Sequence, residues 1–407
     1  MPYQTQRRSF NRTNTSRRPG QSFGGGGRRN TGGSRRGPKK DYIHPSRFVQ
    51  AARPVEREEY VAANQFVDFQ VSDLIKKNLG DKGFVTPSPI QDQAIPVILT
   101  GCDLIGIANT GTGKTAAFAI PLINKLMLLP GSRVLIMAPT RELAQQIEQE
   151  CKEIGKGSRL QGAVLIGGSS MMPQLRDLRN NPQIVIGTPG RIKDHMERGT
   201  LKLENFDTVV LDEVDRMLDM GFINDMTEIL KAMPAERQSL FFSATMDRKV
   251  RDLIDRFSAD PVNISVKQGE TSENVHQDIV PFQTREDKIA QLHNILLADN
   301  LEKVIIFDDT QRAVERLSNE LLERGFKADA IHGGKNQGQR QRALAKFKKS
   351  EIKILVATDV AARGIDVKDI SHVINYSTPQ SYDDYVHRIG RAGRAGRTGT
   401  ALTFVEA

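Results

Sequence analysis

Ala108-Asn109-Thr110-Gly111-Thr112-Gly113-Lys114-Thr115 gathers two glycines, a lysine and three threonines. This spacing fits a phosphate-binding loop, with Ala108 where the simplest pattern has its first glycine. Glycines let backbone N–H groups close around phosphates, and a following helix offers its positive end. Lys114 then reaches the terminal phosphates, and the Thr115 hydroxyl can ligate Mg²⁺. A glycine turn with a chance lysine is the bland alternative. Further along, Asp212-Glu213 closes the apolar run Thr208 to Leu211. Two adjacent carboxylates there are costly unless a cation or hydrogen bonds offset them. Asp212 would hold Mg²⁺ directly or through water, and Glu213 would orient and deprotonate a water attacking a phosphoanhydride. The plainer alternative is a helix N-cap with a capping acid. His387-Arg388-Ile389-Gly390-Arg391-Ala392-Gly393-Arg394 lies far away in sequence. Its glycines would let Arg391 and Arg394 project toward a cleft, where an arginine from a second domain stabilises charge on a transferring phosphoryl. A solvated basic helix end or plain RNA contact is the other reading.

Such distant groups need a scaffold that brings them together. Short β-rich apolar runs alternate with helical patterns from Phe66 onward, the rhythm of a parallel sheet. Strands are predicted at Leu104 to Ala108, Val134 to Ala138, Ile184 to Gly187, Thr208 to Asp212 and Leu240 to Ser243, with helices such as Glu142 to Ile154 between them. After a polar stretch, Gln268 to Asn274, a second series follows at Val304 to Phe307, Ala328 to His332, Ile354 to Ala357, His372 to Tyr376 and Ala401 to Val405. In open parallel sheets ligands bind outside the carboxyl ends of the strands. Asn109 to Thr115, Pro139 to Glu142, Thr188 to Arg191, Asp212 to Asp215 and Ser243 to Thr245 all fall there.

A chain of 407 residues exceeds what one core ordinarily supports, so two domains are expected. The boundaries read as a tail over 1–62, a first domain over 63–267, a linker over 268–274 and a second domain over 275–407. The net charge is +9, but Met1 to Lys40 holds nine Arg, two Lys and no acid, so +9 less the tail's +11 leaves −2 for the rest. The tail, rich in Arg pairs, Gly, Asn and Ser, cannot bury enough apolar surface to order itself and is expected to be disordered. It reads either as a solvated linker or as a sequence-independent phosphate contact. Cys102 and Cys151 are the only cysteines, too few for a disulfide framework or a cysteine metal site, which fits a reducing cytoplasm. No apolar run nears the ~20 residues that span a bilayer, and no secretion signal is expected.

Taken together, these residues resemble the DEAD-box RNA helicases over Phe66 to Val405. Gly83-Phe84-Val85-Thr86-Pro87-Ser88-Pro89-Ile90-Gln91 looks like the family's Q motif, with Phe66 at the place of its isolated upstream aromatic. The resemblance implies adenine recognition: Gln91 would read the base edge and Phe84 would stack on it. Pro139-Thr140-Arg141-Glu142-Leu143, Gly167-Gly168 and Thr188-Pro189-Gly190-Arg191 are similar to RNA-backbone motifs, whose hydroxyls, glycine N–H groups and arginines contact phosphates without reading bases. Ser243-Ala244-Thr245 resembles the segment that couples hydrolysis to strand separation, with Asp215 and His387 as further coupling residues. Leu355 to Asp366 matches another long motif, which implies that Thr358 faces RNA while Gly364 and Asp366 approach the nucleotide. Arg391 and Arg394 take the finger positions. His332 to Arg340 looks most like the bacterial RhlE-type branch.

The sequence departs from the family in three places. Val214 stands where alanine is usual in the Asp212-to-Asp215 tetrad. Asp308 and Asp309 stand where the family has Cys, Val or Thr and then Asn or Arg. Ala392 replaces a usual threonine, and no extension is expected past Val405. The expectation is therefore an α/β protein of two RecA-like domains, each a mainly parallel sheet flanked by helices, behind a disordered N-terminal tail. It would use ATP and Mg²⁺ and bind single-stranded or short duplex RNA without sequence preference, away from membranes. A DNA helicase with the same engine, and a non-catalytic RNA clamp or annealing protein, are the alternatives.

Overall fold

The computed structural model describes residues 43–52, 60–109, 111–258, 260–266, 274–298, 301–362, 367, 369–393 and 398–407. Most of the Arg-rich tail, the expected linker apart from Asn274, and the site candidates Thr110, Gly364, Asp366 and Arg394 lie outside these residues.

Runs such as Val134-Leu135-Ile136-Met137 have no polar alternation because both faces of the strand are covered. Neighbouring residues point to opposite faces, so Leu135, Val209 and Phe241 join one core while Ile136, Val210 and Phe242 join another on the far side of the sheet. The first sheet comprises β1 (Leu104–Ile107), β2 (Val134–Met137), β3 (Gly162–Leu165), β4 (Ile184–Gly187), β5 (Thr208–Asp212), β6 (Gln238–Ser243) and β7 (Val262–Ser265), in the order β3-β4-β2-β5-β6-β1-β7. The second comprises β8 (Val275–Phe282), β9 (Val304–Phe307), β10 (Ala328–Ile331), β11 (Ile354–Ala357), β12 (His372–Asn375) and β13 (Gly399–Glu406), in the order β10-β11-β9-β12-β13-β8. Every pairing within both sheets is parallel. The second sheet likewise has a core on each face, one around Ile305 and Leu355 and the other around Ile306 and Val356.

The interior strands lie where the apolar runs predict them. Three strands carry no such run, and each is a sheet edge. β3 opens with an exposed glycine, β7 buries only Ile264, and β8 contains His276, Asp278 and Pro281. Proline is tolerated at an edge because its missing N–H breaks no ladder. The expected tail boundary also shifts: Ile43 and Phe48, placed in the tail by composition, are buried in the second sheet's core. Cys102 is exposed and Cys151 buried, both as free thiols, and burial pushes the Cys151 thiol up to about 12. Among the described residues no helix is long and apolar enough to cross a membrane.

Gly106 shows how tightly the first core closes. A Cβ there would sit 2.7 Å from the Phe242 ring, and that ring packs 5.3 Å from Phe118, centroid to centroid. Overpacking of this kind costs about 1–3 kcal/mol. Gly106→Ala is expected to lose that much in denaturant unfolding, and Gly106→Ala with Phe242→Leu to recover part of it. Equal stability of parent and Gly106→Ala would show that the ring has room to move.

Candidate active site and nucleic-acid interface

Strand pairing decides which side chains meet. Ile107 of β1 lies beside Ser243 of β6, and Asp212 of β5 beside Phe242. The phosphate-loop candidate, the carboxylates and Ser243-Ala244-Thr245 therefore emerge from three adjacent strands at one sheet end. Gly113 caps the helix Lys114–Leu128 with φ of 91°, a conformation that favours glycine. A Cβ at Gly113 would also come within 2.3 Å of the Gln91 side-chain nitrogen. The Lys114 ammonium donates to the Ala108 carbonyl across the loop at 2.8 Å and is almost wholly buried. The Thr112 hydroxyl donates to the Asn109 carbonyl at 2.8 Å, and Thr115 lies in the first turn of the helix.

The loop rests on the segment around Gln91. Ser88 Oγ donates to the Thr112 carbonyl at 2.7 Å, and Gln91 Nε2 donates to the Gly113 carbonyl at 3.1 Å. Gln91 Oε1 accepts from the Ser88 N–H at 2.9 Å, so Gln91 closes a capping box on the helix Pro89–Leu99. One amide hydrogen and further acceptor capacity remain on this carboxamide for a ligand. Phe84 is half-buried, whereas Phe66 is buried with its ring edge-on to Phe69 at 5.9 Å and to Phe84 at 5.3 Å. Phe66 thus buttresses Phe84 from the core.

Asp92, the next residue, carries no signal that composition or spacing could expose. It is 3% exposed and accepts from the Tyr60 hydroxyl at 2.7 Å, the Ala63 N–H at 2.8 Å, the Asn64 N–H at 3.1 Å and Asn64 Nδ2 at 2.8 Å. Burial works to raise its carboxyl, but these bonds outweigh burial and hold it below the usual carboxylate range.

Asp212 is also buried, and its carboxylate accepts from the Glu213 N–H at 3.0 Å. Burial pushes its carboxyl up to about 7; Lys114 opposes the rise and the Glu213 carboxylate adds to it. Such a group favours a nearby cation. Among the described residues no cluster of three or more His, Cys, Asp or Glu could hold a metal. Mg²⁺ commonly binds through one or two carboxylates and substrate phosphates, and the buried, incompletely compensated Asp212 is a carboxylate suited to that. Glu213 is a buried non-glycine residue at φ 54°, ψ 56°, a conformation costing on the order of 1–3 kcal/mol that persists where the surroundings over-determine it. Val214 is fully buried in the second of the first sheet's cores, so its extra methyls are accommodated by packing. Asp215 joins the tetrad to β6: its Oδ2 accepts from the Ala244 N–H at 3.1 Å, the Thr245 N–H at 3.0 Å and the Thr245 hydroxyl at 3.2 Å. The Asp215 N–H in turn donates to Ser243 Oγ at 3.4 Å.

The backbone-contact candidates form a second group. Thr140 caps the helix Arg141–Ile154 by accepting from the Leu143 N–H at 3.3 Å, directly after buried Pro139. Thr188 is the N-cap residue of Pro189–Glu197. A Cβ on Gly168 would fall 2.0 Å from Arg141 Nη1, so the glycine is what lets that guanidinium lie across the loop. Arg191 donates to the Ser169 carbonyl at 3.3 Å. Arg340, from the helix Gln337–Lys348 of the second half, forms a buried ion pair with Glu142 at 2.7 Å, and Gln337 donates to Gln145 at 3.0 Å. Burial, with Arg340 and Arg191 nearby, holds Arg141 below the ordinary guanidinium value. The Glu142–Arg340 pair leaves no mark in the sequence, since its members lie almost two hundred positions apart.

In the second sheet, Thr358 follows β11 and is nearly buried. Arg388 resolves an ambiguity of the arginine cluster. It is 2% exposed, bonds both Asp359 carboxylate oxygens at 2.6 and 2.7 Å, and donates to the Ser377 carbonyl at 2.7 Å. This arginine is part of the fold. His387 and Arg391 line a small cavity with Phe307, Asp359, Ala362 and Asp384. Asp308 is buried and accepts from the Asp309 N–H at 2.8 Å, while Asp309 is exposed; burial raises the Asp308 carboxyl. Ala392 is fully buried, and a Cβ on Gly399 would come within 2.6 Å of its Cβ, leaving little room for a larger residue.

Two halves of this kind, each a parallel sheet with its polar cluster at the carboxyl ends, define a RecA-like architecture. Residues 88–253 match the DEAD/DEAH box helicase family and residues 287–396 match the helicase conserved C-terminal domain. The chain is 47% identical over 344 residues to the ATP-dependent RNA helicase CshA of Listeria monocytogenes, covering 84% of this chain and 66% of that protein. Against the DEAD-box ATP-dependent RNA helicase CshA of Bacillus subtilis it is 45% identical over 342 residues, covering 84% and 69%. It thus spans about two thirds of the length of these relatives. Saccharomyces cerevisiae Dbp5 bound to RNA and ADP BeF3 matches with a TM-score of 0.74 at 29% identity, over 85% of this chain and 90% of that one. The chain belongs to the DEAD-box helicase family.

The Asp92 geometry gives a test of the support beneath Gln91. Its folded pKa lies below the unfolded one, so its stabilisation is present above the ordinary carboxylate range and lost as pH falls through the folded value. Asp92→Asn is expected to melt lower than the parent at pH 7, with the gap narrowing as pH drops below about 4. A gap independent of pH would mean that the charge contributes nothing.

Proposed function

We propose that this protein is an ATP-dependent RNA helicase that hydrolyses ATP on binding RNA and locally separates or remodels RNA duplexes and RNA–protein complexes. The convergence of Lys114, Asp212 and Glu213 at neighbouring strand ends carries this reading, with Asp215 bonded to Thr245 beside them. Residues 63–267 and 275–407 act as the two domains, joined by 268–274. Asp212 and Thr115 would hold Mg²⁺, which would supply charge neutralisation on the phosphates. Phe84 and Gln91 take the adenine, Lys114 the terminal phosphates, and Glu213 accepts a proton from the attacking water. Arg391 and Arg394 stabilise charge developing on the transferring phosphoryl, while Thr358, Gly364 and Asp366 place RNA and nucleotide on one segment. Pro139, Thr140, Arg141, Gly168, Thr188 and Arg191 grip the RNA backbone without reading bases. The protein acts in the cytoplasm, and its RhlE-type affinity at His332 to Arg340 belongs to the same proposal.

The purified full chain is expected to show ATPase stimulated by RNA more than by DNA of equal length and sequence. Glu213→Gln should lose on the order of 10² to 10⁴ in rate, the range of general-base contributions, with ATP binding retained. Equal stimulation by DNA would favour a DNA helicase. Absence of RNA-stimulated hydrolysis, or Glu213→Gln turning over as fast as the parent, would favour a non-catalytic clamp.

The tail supplies a separate contact. Its +11 charge adds sequence-independent phosphate binding by counterion release. Deleting Met1 to Lys40 should weaken RNA binding and flatten its dependence on log salt by about 0.7 for each phosphate the tail had neutralised. An unchanged slope would leave the tail as a linker.

A further inference from the structure

Ile43 to Gln50 precede the first sheet in the chain, yet they are built into the second. Phe48 is fully buried, and its ring meets Tyr385 edge-on at 4.7 Å. The Arg47 guanidinium lies 3.7 Å over the Tyr382 ring. Gln50 exchanges both backbone hydrogen bonds with Gln277 of β8, at 2.9 and 2.8 Å, as an antiparallel bridge on the sheet's edge. Tyr385 closes the unit by donating its hydroxyl to Gln277 Oε1 at 2.8 Å.

The burial of Phe48, the cation–π contact of Arg47 and the bridge of Gln50 together hold the segment in place. All three contacts converge on one helix and the strand beside it. Tyr382 and Tyr385 belong to the helix Tyr382–Ile389, which also carries His387 and Arg388. The turn at its end presents Arg391, whose N–H donates to the Arg388 carbonyl at 3.1 Å. One side of the helix is clamped through Arg388 to Asp359, and Phe48 and Arg47 cover the tyrosines.

We propose that Ile43 to Gln50 is a positioning element for the arginine-bearing helix, setting through Tyr382 and Tyr385 the orientation in which Arg391 meets the substrate phosphates. This rests on the ATPase reading above. Its residues are positioning residues, since none of them touches a reacting atom. Removing their contacts should act on the transition state, where the arginine works, more than on ATP binding, which Lys114 and the loop provide.

The test uses the full chain with Phe48→Ala, with Phe48→Leu as the conservative variant, and with Gln50→Pro, which deletes the N–H donated to Gln277 while leaving the core intact. Amide hydrogen exchange of Tyr382–Ile389 is read without nucleotide, and kcat and KM for ATP at saturating RNA. Phe48→Ala is expected to speed exchange in this helix on the order of tenfold while the helix Lys114–Leu128 stays as in the parent. Its kcat should fall by about tenfold, less than the roughly 10²-fold cost of a 1 Å misplacement, with KM for ATP little changed. Gln50→Pro should move both readouts the same way, and Phe48→Leu should restore most of each. Exchange unchanged in Phe48→Ala and Gln50→Pro would overturn the docking. Faster exchange with kcat as in the parent, or kcat and KM changing in step, would overturn the positioning role. A parent without RNA-stimulated hydrolysis would instead sink the ATPase reading, and the exchange measurement would still decide the docking.

Discussion

β6 is the strand on which the first half depends. It pairs with β1 on one side and β5 on the other, and parallel register leaves the ends of all three at one level. The loop after β1 and the carboxylates after β5 are therefore brought to either side of Ser243. Side chains alone could not impose this, because Lys114 and Asp212 are separated by almost a hundred residues of chain. A register slip of one residue would turn every core side chain to the other face, so the two buried cores that fix the register also fix the site. Gly106 shows the tolerance: one added methyl would collide with Phe242.

Within that frame, the buried charges are handled in different ways. Asp92 and Asp215 are satisfied by the protein itself, each accepting several N–H or O–H donors. Asp212 is given much less, and its carboxyl is pushed up to about 7. The adjacent Glu213 is held in the left-handed region. An incompletely compensated carboxylate and a strained neighbour are unstable choices for a purely structural turn. They suit a place where a cation and a substrate complete the set. Arg388 stands with Asp92 and Asp215: Asp359 and two carbonyl oxygens engage its guanidinium, so its charge serves the fold.

Much of this was legible in the sequence because interior parallel strands are continuous apolar runs, and because phosphate chemistry demands particular residues at particular spacings. Legibility ended where partners come from elsewhere in the chain. β3, β7 and β8 are edges with too little burial to leave a pattern. Gln91 reads as a ligand amide, but nothing local in the sequence shows that its amide also holds the phosphate loop. Arg388 reads like its neighbour Arg391 until Asp359 is set against it, a contact no local window contains. Phe48 lies just beyond an arginine-rich stretch whose composition dominates any reading of its neighbours.

The second half shows why a fold assembled this way needs long-range ties. Its edge strand β8 has a polar face and a proline, and on its outer side Gln277 pairs with Gln50. Edges of this sort are normally blunted by a covering segment or by charge. Here the residue opposite that edge comes from upstream of the first sheet, and Tyr60 to Asn64 in their turn lie on Asp92, beside Gln91. Two segments are thus anchored at different places, Tyr60 to Asn64 on the support of the phosphate loop and Ile43 to Gln50 on the helix that leads to Arg391. Composition misassigns Ile43 to Gln50 to the tail because their partners, Gln277, Tyr382 and Tyr385, lie more than two hundred positions further along the chain.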